Sequence, residues 1–325
     1  MKHLLSLEKL PRTDMEDILA ASGPMKRARG QHATQPLAGQ AWALIFNKSS
    51  TRTRVSFEVG IRELGGQALF LSAQDIQMGR GEPIKDTARV LGRMIHGAVI
   101  RTYAQSDVEE FAQYAGVPTV NALTDEEHPC QVLADIFTFQ EKRGPIRGKV
   151  VTFIGDGACN MPISWIFAAI KLGFELRIAA PPRYQPLLTL NRIRAADSPL
   201  TAGGGKAAPE GDRWREWNFG GSGKIICTDH LERAVAGADL LYTDVWVSMG
   251  KEAEAADRLK ALSAYQINRS LVKLARPDAL VMHCLPAYRG KEIDEEMFEA
   301  NAQTIFDQAE NRLHVQKAIL HWLIR

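Results

Sequence analysis

The sequence predicts an α/β fold of two similar-sized domains, each a parallel β-sheet flanked by helices. Three observations point there. Short apolar runs alternate with helical patterns along the chain, as in sheets whose strands are joined by helical crossovers. The 325 residues suffice for about two domains at roughly 100 to 200 residues each. A fresh strand–helix series starts at Val150, just past Arg143-Gly144-Pro145, so the domains are expected at 1–143 and 144–325.

Each element has its own signal. Thr13 and Glu16 read as a capping box for a first helix through Ile18 and Leu19. Residues 41–46 (AWALIF) form a buried strand, 55–64 a helix stopped by Gly65-Gly66, and 68–71 a second strand. A helix over 83–94 takes Pro83 near its first turn, followed by a strand at 98–101, a helix at 107–114 and a strand at 118–121. A helix over 129–142 leads to the boundary. Beyond it come a strand at 150–154, a helix near 162–172, strands at 174–179 and 224–227, a helix at 230–236, strands at 239–243 and 279–283, and a last helix at 309–324. Between 195 and 223 the periodicity gives way to glycine, charge and two tryptophans (TAGGGKAAPEGDRWREWNFGGSG), read as an exposed loop, with a lid or partner-binding segment as the alternative.

Composition removes several function classes. Lys plus Arg number 40 against 38 Asp plus Glu, a net charge of +2, which argues against a dedicated nucleic-acid binder. Cys130, Cys159, Cys227 and Cys284 are too far apart for a zinc knuckle or redox dithiol, and a reducing compartment fits them best. The opening MKHLLSLEKLP has too short an apolar run for a signal-peptide core, and no run reaches the length of a membrane span. A cytoplasmic soluble protein with no membrane partner is expected.

The strongest chemical signal is Ser49-Ser50-Thr51-Arg52-Thr53-Arg54, lying between a strand and a helix. A helix N-terminus favours an anion through its unpaired NH groups and dipole. Hydroxyls and guanidinium groups in the same turn make a phosphate cradle, whereas capping alone needs one hydroxyl and no arginine. Downstream stand Gln77 in DIQMGRGEP, Arg101 at a strand end, His128-Pro129-Cys130-Gln131, Gly155-Asp156-Gly157 with Asn160, Asp244 through Ser248-Met249-Gly250, His283-Cys284-Leu285-Pro286 and Glu310-Asn311-Arg312. His128 and Gln131, one helical turn apart, can meet the same group. Gly155-Asp156-Gly157 with Glu175 downstream brushes against a dinucleotide fingerprint, but Asn160 stands where its third glycine belongs. By itself, Cys284 in an apolar run is usually a small core residue.

These motifs, in this order and over nearly the whole chain, resemble those of the aspartate and ornithine carbamoyltransferases. The resemblance implies transfer of a carbamoyl group from carbamoyl phosphate, without cofactor or metal, in a cleft between the domains. It assigns carbamoyl phosphate to Ser50, Thr51, Arg52, Thr53, Gln77, Arg101, His128, Pro129, Cys130, Gln131, Cys284, Leu285 and Arg312. Asp244, Ser248, Met249 and Asn160 match the ornithine branch and would hold an α-amino acid, and Cys284 stands where the aspartate branch reads proline. The implied product is L-citrulline, a step of arginine biosynthesis, with Arg101, His128, Cys284 and Asp244 as catalytic groups and carbamoyl phosphate binding first. Cys284, Asp244 or the leaving phosphate would take the proton of the δ-amine. The family further implies a homotrimer in which the Gln77 loop reaches a neighbouring subunit, a last helix packed back on the first domain, and Arg312 at the start of that helix. Alternatives are a carbamoyltransferase for putrescine or an N-acylated ornithine, a nicotinamide-dependent oxidoreductase and a non-catalytic family member.

Overall fold

The computed structural model describes residues 1–72, 81–195, 214–219 and 223–325. Two compact units divide the chain: Met1–Phe137 together with Ala309–Arg325, and Thr138–Gln308. In chain order the first unit contains α1 (Arg12–Arg27), β1 (Ala41–Phe46), α2 (Thr51–Glu63), β2 (Gln67–Ser72), α3 (Ile84–Leu91), β3 (Gly97–Arg101), α4 (Gln105–Ala115), β4 (Thr119–Leu123) and the first part of α5 (Pro129–Arg143). The second contains β5 (Val150–Ile154), α6 (Asn160–Leu172), β6 (Glu175–Ala179), α7 (Leu187–Ala195), β7 (Trp214–Phe219), β8 (Gly223–Thr228), α8 (Leu231–Val235), β9 (Leu240–Thr243), α9 (Ala255–Leu262), α10 (Arg269–Val272), β10 (Leu280–His283) and α11 (Glu295–Ala300). The last helix, α12 (Ala302–Leu323), begins in the second unit and from Ala309 belongs to the first.

The first unit carries a four-stranded parallel sheet in the order β2-β1-β3-β4. Central β1 reads as an unbroken apolar run because helices cover both its faces, and five of its six residues are buried. Ala43, Ile45, Ala98, Ile100, Val108 and Phe111 make the core beneath α3 and α4, each large side chain contributing about 1.5–3 kcal/mol. The chain moves from β1 to β2 on one side and returns to β3 on the other. Ligands in open α/β sheets sit at such a reversal, outside the carboxyl ends of the strands. Here those ends are Phe46 and Arg101, which pair directly.

The second unit's sheet runs β10-β9-β5-β6-β8-β7. Its order reverses between β5 and β9, where Ile154 pairs with Thr243. The segments leaving those two strands are Gly155-Asp156-Gly157 and Asp244. Both sheets therefore deliver predicted site residues to a reversal point.

Four readings need correction. α1 starts at Arg12 after Pro11, with no side-chain cap; Thr13 lies in its first turn, and Glu16 is held instead by Arg12 Nε at 2.8 Å. α2 begins at Thr51 rather than 55, because capping by Ser50 starts it one turn before the apolar spacing does. The segment read as a loop at 195–223 contains β7, antiparallel on β8, with Trp217 and Phe219 buried in alternation with exposed Arg215 and Asn218. The rest of that insert, like Gln77, lies outside the described residues. α12 begins at Ala302 rather than 309, so Arg312 sits well inside the helix, not at its start.

Candidate active site

In the first unit, Ser50 caps α2 in extended conformation, and its hydroxyl accepts from Thr53 N at 3.3 Å. Thr51 is exposed at the head of the helix, Arg52 is half-buried, and Thr53 is fully buried. Arg312 reaches Thr53 from α12, its Nη2 donating to Oγ1 at 2.5 Å. Arg101 is buried at the end of β3. Arg54, expected to join the cradle, turns away: it pairs with Glu58 at 3.2 Å and stacks 3.6 Å from the Phe70 ring centroid.

His128 is buried, and its carbonyl accepts from Gln131 N and Val132 N as α5 begins. Burial, then Arg312, then Arg101 push its imidazole well below the ordinary range. His128 is therefore neutral, a hydrogen-bonding group rather than a third cation. Pro129 supplies the first residue of α5, where its missing N–H costs nothing. Burial pushes the Cys130 thiol up to about 12 against the pull of Arg312; its sulfur donates to Asn121 O at 3.4 Å. Gln131 donates through Nε2 to Asp135 at 2.9 Å, and its buried Oε1 has no hydrogen-bond partner among the described residues. Thr53, His128, Cys130, Arg101 and Arg312 thus share one electrostatic neighbourhood.

The second unit gathers different chemistry. Asp244 follows β9, and its Oδ1 accepts from Val245 N at 2.7 Å and from the Cys284 thiol at 2.8 Å. Burial raises its carboxyl above the ordinary range, against the opposing pull of His283 and these two hydrogen bonds. His283 is fully buried. Its Nδ1 accepts from Leu285 N at 2.8 Å, so Nε2 carries the proton toward Glu292, 3.1 Å away. Leu285 is held in the left-handed region at φ 60, a conformation costing about 1–3 kcal/mol for a side-chain-bearing residue. Ser248 is half-buried and Met249 exposed in the loop after Asp244.

Asn160 is the first residue of α6, after Cys159. Asp244 and Asp156 both help to hold the Cys159 thiol well above its ordinary range, after burial itself, so the α6 terminus and Asp244 are neighbours. Asp156 forms a buried ion pair with Arg258 at 2.6 Å. Arg258 also meets Glu254 at 2.9 Å and Trp246 O at 3.4 Å. At Gly157 a Cβ would come within 2.5 Å of Ile178 Cγ2 and 2.9 Å of Tyr184 O. The turn is filled by its own unit's side chains, which is not the open approach a pyrophosphate needs.

Asp244, His283 and Cys284 place three donor atoms within 4.8 Å of one another, a grouping that raises the question of a metal. Both ring nitrogens of His283 are already engaged, by Leu285 N and Glu292, while Cys284 donates to Asp244.

Residues 2–141 match the family model for the aspartate/ornithine carbamoyltransferase carbamoyl-P binding domain, and 147–323 that for the Asp/Orn binding domain. The chain belongs to the aspartate/ornithine carbamoyltransferase family. An ornithine carbamoyltransferase from Akkermansia muciniphila is 52% identical over 322 residues, covering 98% of this chain and 97% of that one. The solved ornithine carbamoyltransferase from Pyrococcus furiosus aligns with a TM-score of 0.85 at 41% identity, covering 99% and 97% of the two chains. An anabolic ornithine carbamoyltransferase from Campylobacter jejuni gives the same TM-score at 37% identity, with 99% of each chain covered.

Three features of this carbamoyltransferase were missed in the sequence. Lys48, buried under Tyr103 and paired with Asp125, precedes the hydroxyl-rich turn and reads as an ordinary surface lysine. Arg258 lies 102 positions from its partner Asp156, beyond any local pattern. Glu292 holds His283 and also accepts from Tyr288 N at 2.6 Å; only its position shortly after the His283 motif could have suggested it.

Proposed function

We propose that this chain transfers the carbamoyl group of carbamoyl phosphate to the δ-amine of L-ornithine, giving L-citrulline and phosphate. The observation that carries the choice of acceptor is the Asp244 carboxylate, partly buried and held by a thiol and a backbone N–H. Among the described residues no lysine or arginine pairs with it. An α-ammonium supplies the missing cation. Putrescine or an N-acylated ornithine has no free α-ammonium beside a carboxylate, and would leave the pocket's polar groups uncompensated.

The first unit takes the phosphate donor. Ser50, Thr51, Arg52, Thr53 and Arg312 hold the dianion, and Arg101 with neutral His128 meets the carbonyl oxygen as negative charge develops there. Gln131 Oε1, a buried acceptor, suits the carbamoyl NH2, with Pro129 and Cys130 shaping the wall. Gln77, Cys284 and Leu285 complete the donor's contacts. In the second unit Asp244, Ser248, Met249 and Asn160 hold the amino-acid end of ornithine.

Attack requires a neutral amine. A lysine-like δ-amine with a pKa near 10.4 is mostly protonated at about pH 8, at a cost of roughly 3 kcal/mol. Cys284 donates to Asp244 in the resting geometry, and Asp244 must stay ionised to hold the α-ammonium, so the departing phosphate is the better proton acceptor. Expulsion of phosphate from the tetrahedral adduct then completes the transfer.

We further place the protein in the cytoplasm as a homotrimer. Four free thiols support a reducing compartment, and no described helix is long and apolar enough to cross a membrane. Exposed Val55 and Leu69 on α2 and β2 support burial against another copy. The test of function is a colorimetric citrulline assay with L-ornithine, run beside aspartate, putrescine and N-acetylornithine. Citrulline from ornithine at the fastest rate is expected; faster turnover of another amine would replace this reading.

A further inference from the structure

Beyond Arg312, the last helix carries a buried cation that the chemistry does not use. The Lys317 side chain has no exposed surface; Nζ donates to Glu63 Oε2 at 2.5 Å and to Met25 O at 3.2 Å, and lies 3.0 Å from His32 Nε2. Glu63 is the last residue of α2, the helix whose first turn carries Thr51, Arg52 and Thr53. It is also approached by His32 at 3.5 Å and Arg29 at 3.6 Å.

Spacing makes this more than a local ion pair. Thr53, Ser56, Gly60 and Glu63 recur every three or four residues and share one face of α2. Leu313 and Lys317 are four apart on α12. The two helices approach closely at Gly60, since a Cβ there would stand 3.2 Å from Lys317 Cγ and 3.5 Å from Leu313 Cδ1. One seam therefore runs between α2 and α12, with Arg312 on Thr53 at one end and Lys317 on Glu63 at the other.

Burial pulls Lys317 below its ordinary range while Glu63 pulls it back. An ion pair bought out of water in this way adds little net stability, and its best-attested use is to set register. Register matters here because each helical residue advances about 1.5 Å. A slip of one position would take the Arg312 guanidinium out of hydrogen-bond range of Thr53.

We propose that the Lys317–Glu63 pair is the register lock that keeps Arg312 on Thr53, making both positioning residues for the phosphate half-site. This rests on the carbamoyl phosphate reading of that half-site. The test compares wild type, Lys317→Met, Lys317→Arg and, as a stability control in the core of the same unit, Phe111→Leu. For each, KM for both substrates, inorganic phosphate affinity by calorimetry and the unfolding midpoint are measured.

Lys317→Met, which keeps an apolar stem against Gly60, should weaken inorganic phosphate binding and raise KM for carbamoyl phosphate about tenfold, with KM for ornithine held within about twofold. Lys317→Arg, which restores a cation for Glu63, should recover most of the loss. Phe111→Leu should lower the midpoint and leave both KM values alone. Wild-type phosphate affinity in Lys317→Met, or an equal loss in Phe111→Leu, would overturn the lock. Should Lys317→Met not fold, Glu63→Gln is held to the same split, with about a threefold effect expected and none counting against the lock. A wild-type protein that makes no citrulline would instead overturn the parent reading.

Discussion

The two half-sites handle charge in opposite ways. In the first unit the groups are already tied down: Arg312 donates to Thr53, Ser50 caps the helix, and burial, helped by Arg312 and Arg101, pushes the His128 imidazole well below its ordinary range. In the second, among the described residues, the Asp244 carboxylate accepts from a thiol and a backbone N–H, and burial raises its pKa. On the proposed function, a dianion meets a preorganised cradle, so little reorganisation remains when charge develops. On the same proposed function, a zwitterionic amino acid meets a carboxylate whose compensating cation is the ligand itself. The difference teaches where affinity and selectivity reside: the first unit secures the donor, and the second selects the acceptor.

The comparison can be broken at several points. Arg312→Ala removes a cation and leaves Thr53 without its donor; kcat/KM for carbamoyl phosphate should fall about 10²–10³-fold, and steady-state kinetics retaining more than a tenth of wild-type activity would refute a tied-down cradle. Next is pH. The folded Asp244 carboxyl titrates above the ordinary range, so the anionic form that holds an α-ammonium is lost at a higher pH than for an ordinary carboxylate. Affinity for L-norvaline, which keeps the α-amino acid but lacks the δ-amine, should fall about tenfold per pH unit below that folded pKa. Calorimetry showing a flat profile down to about pH 4 would remove the waiting carboxylate.

Cys284→Ser keeps a donor to Asp244 and should lower kcat by less than about tenfold, while Cys284→Ala should do worse. If the two variants match in stopped assays, the hydrogen bond is not what Cys284 contributes. The smallest effect is on stability, and its sign is informative. A carboxyl whose folded pKa is raised favours the fold in its protonated form, and that stability is lost as pH rises through the folded pKa. Asp244→Asn should therefore raise the unfolding midpoint by a few degrees at neutral pH, a shift readable by calorimetry. A lower midpoint would mean that Asp244 is structural.

Much of this was legible in the sequence because it is local. AWALIF is buried nearly throughout and reads as a central strand, and Ser50 through Thr53 lie in one turn whose hydroxyl and guanidinium content announces an anion. What was missed depends on distance or on alternation too short to register. Strand β7 is built from WREWNF, whose two buried aromatics alternate with polar residues beside a glycine-rich stretch that suggests a loop. Arg258 and Lys317 look like surface cations until the fold brings Asp156 and Glu63 to them from 102 and 254 positions away. The order of the sheets, and with it the pair of reversal points, follows from crossovers that no local pattern encodes. Arg54 errs the other way: proximity in sequence suggested the cradle, but the helix turns its side chain toward Glu58 and Phe70.

The division of labour between the two units is tested most directly by the two KM values of Asp244→Asn in the citrulline assay. KM for ornithine should rise about 10²–10³-fold, while KM for carbamoyl phosphate stays within about twofold. An equal rise in both constants, or an unchanged KM for ornithine, would contradict it.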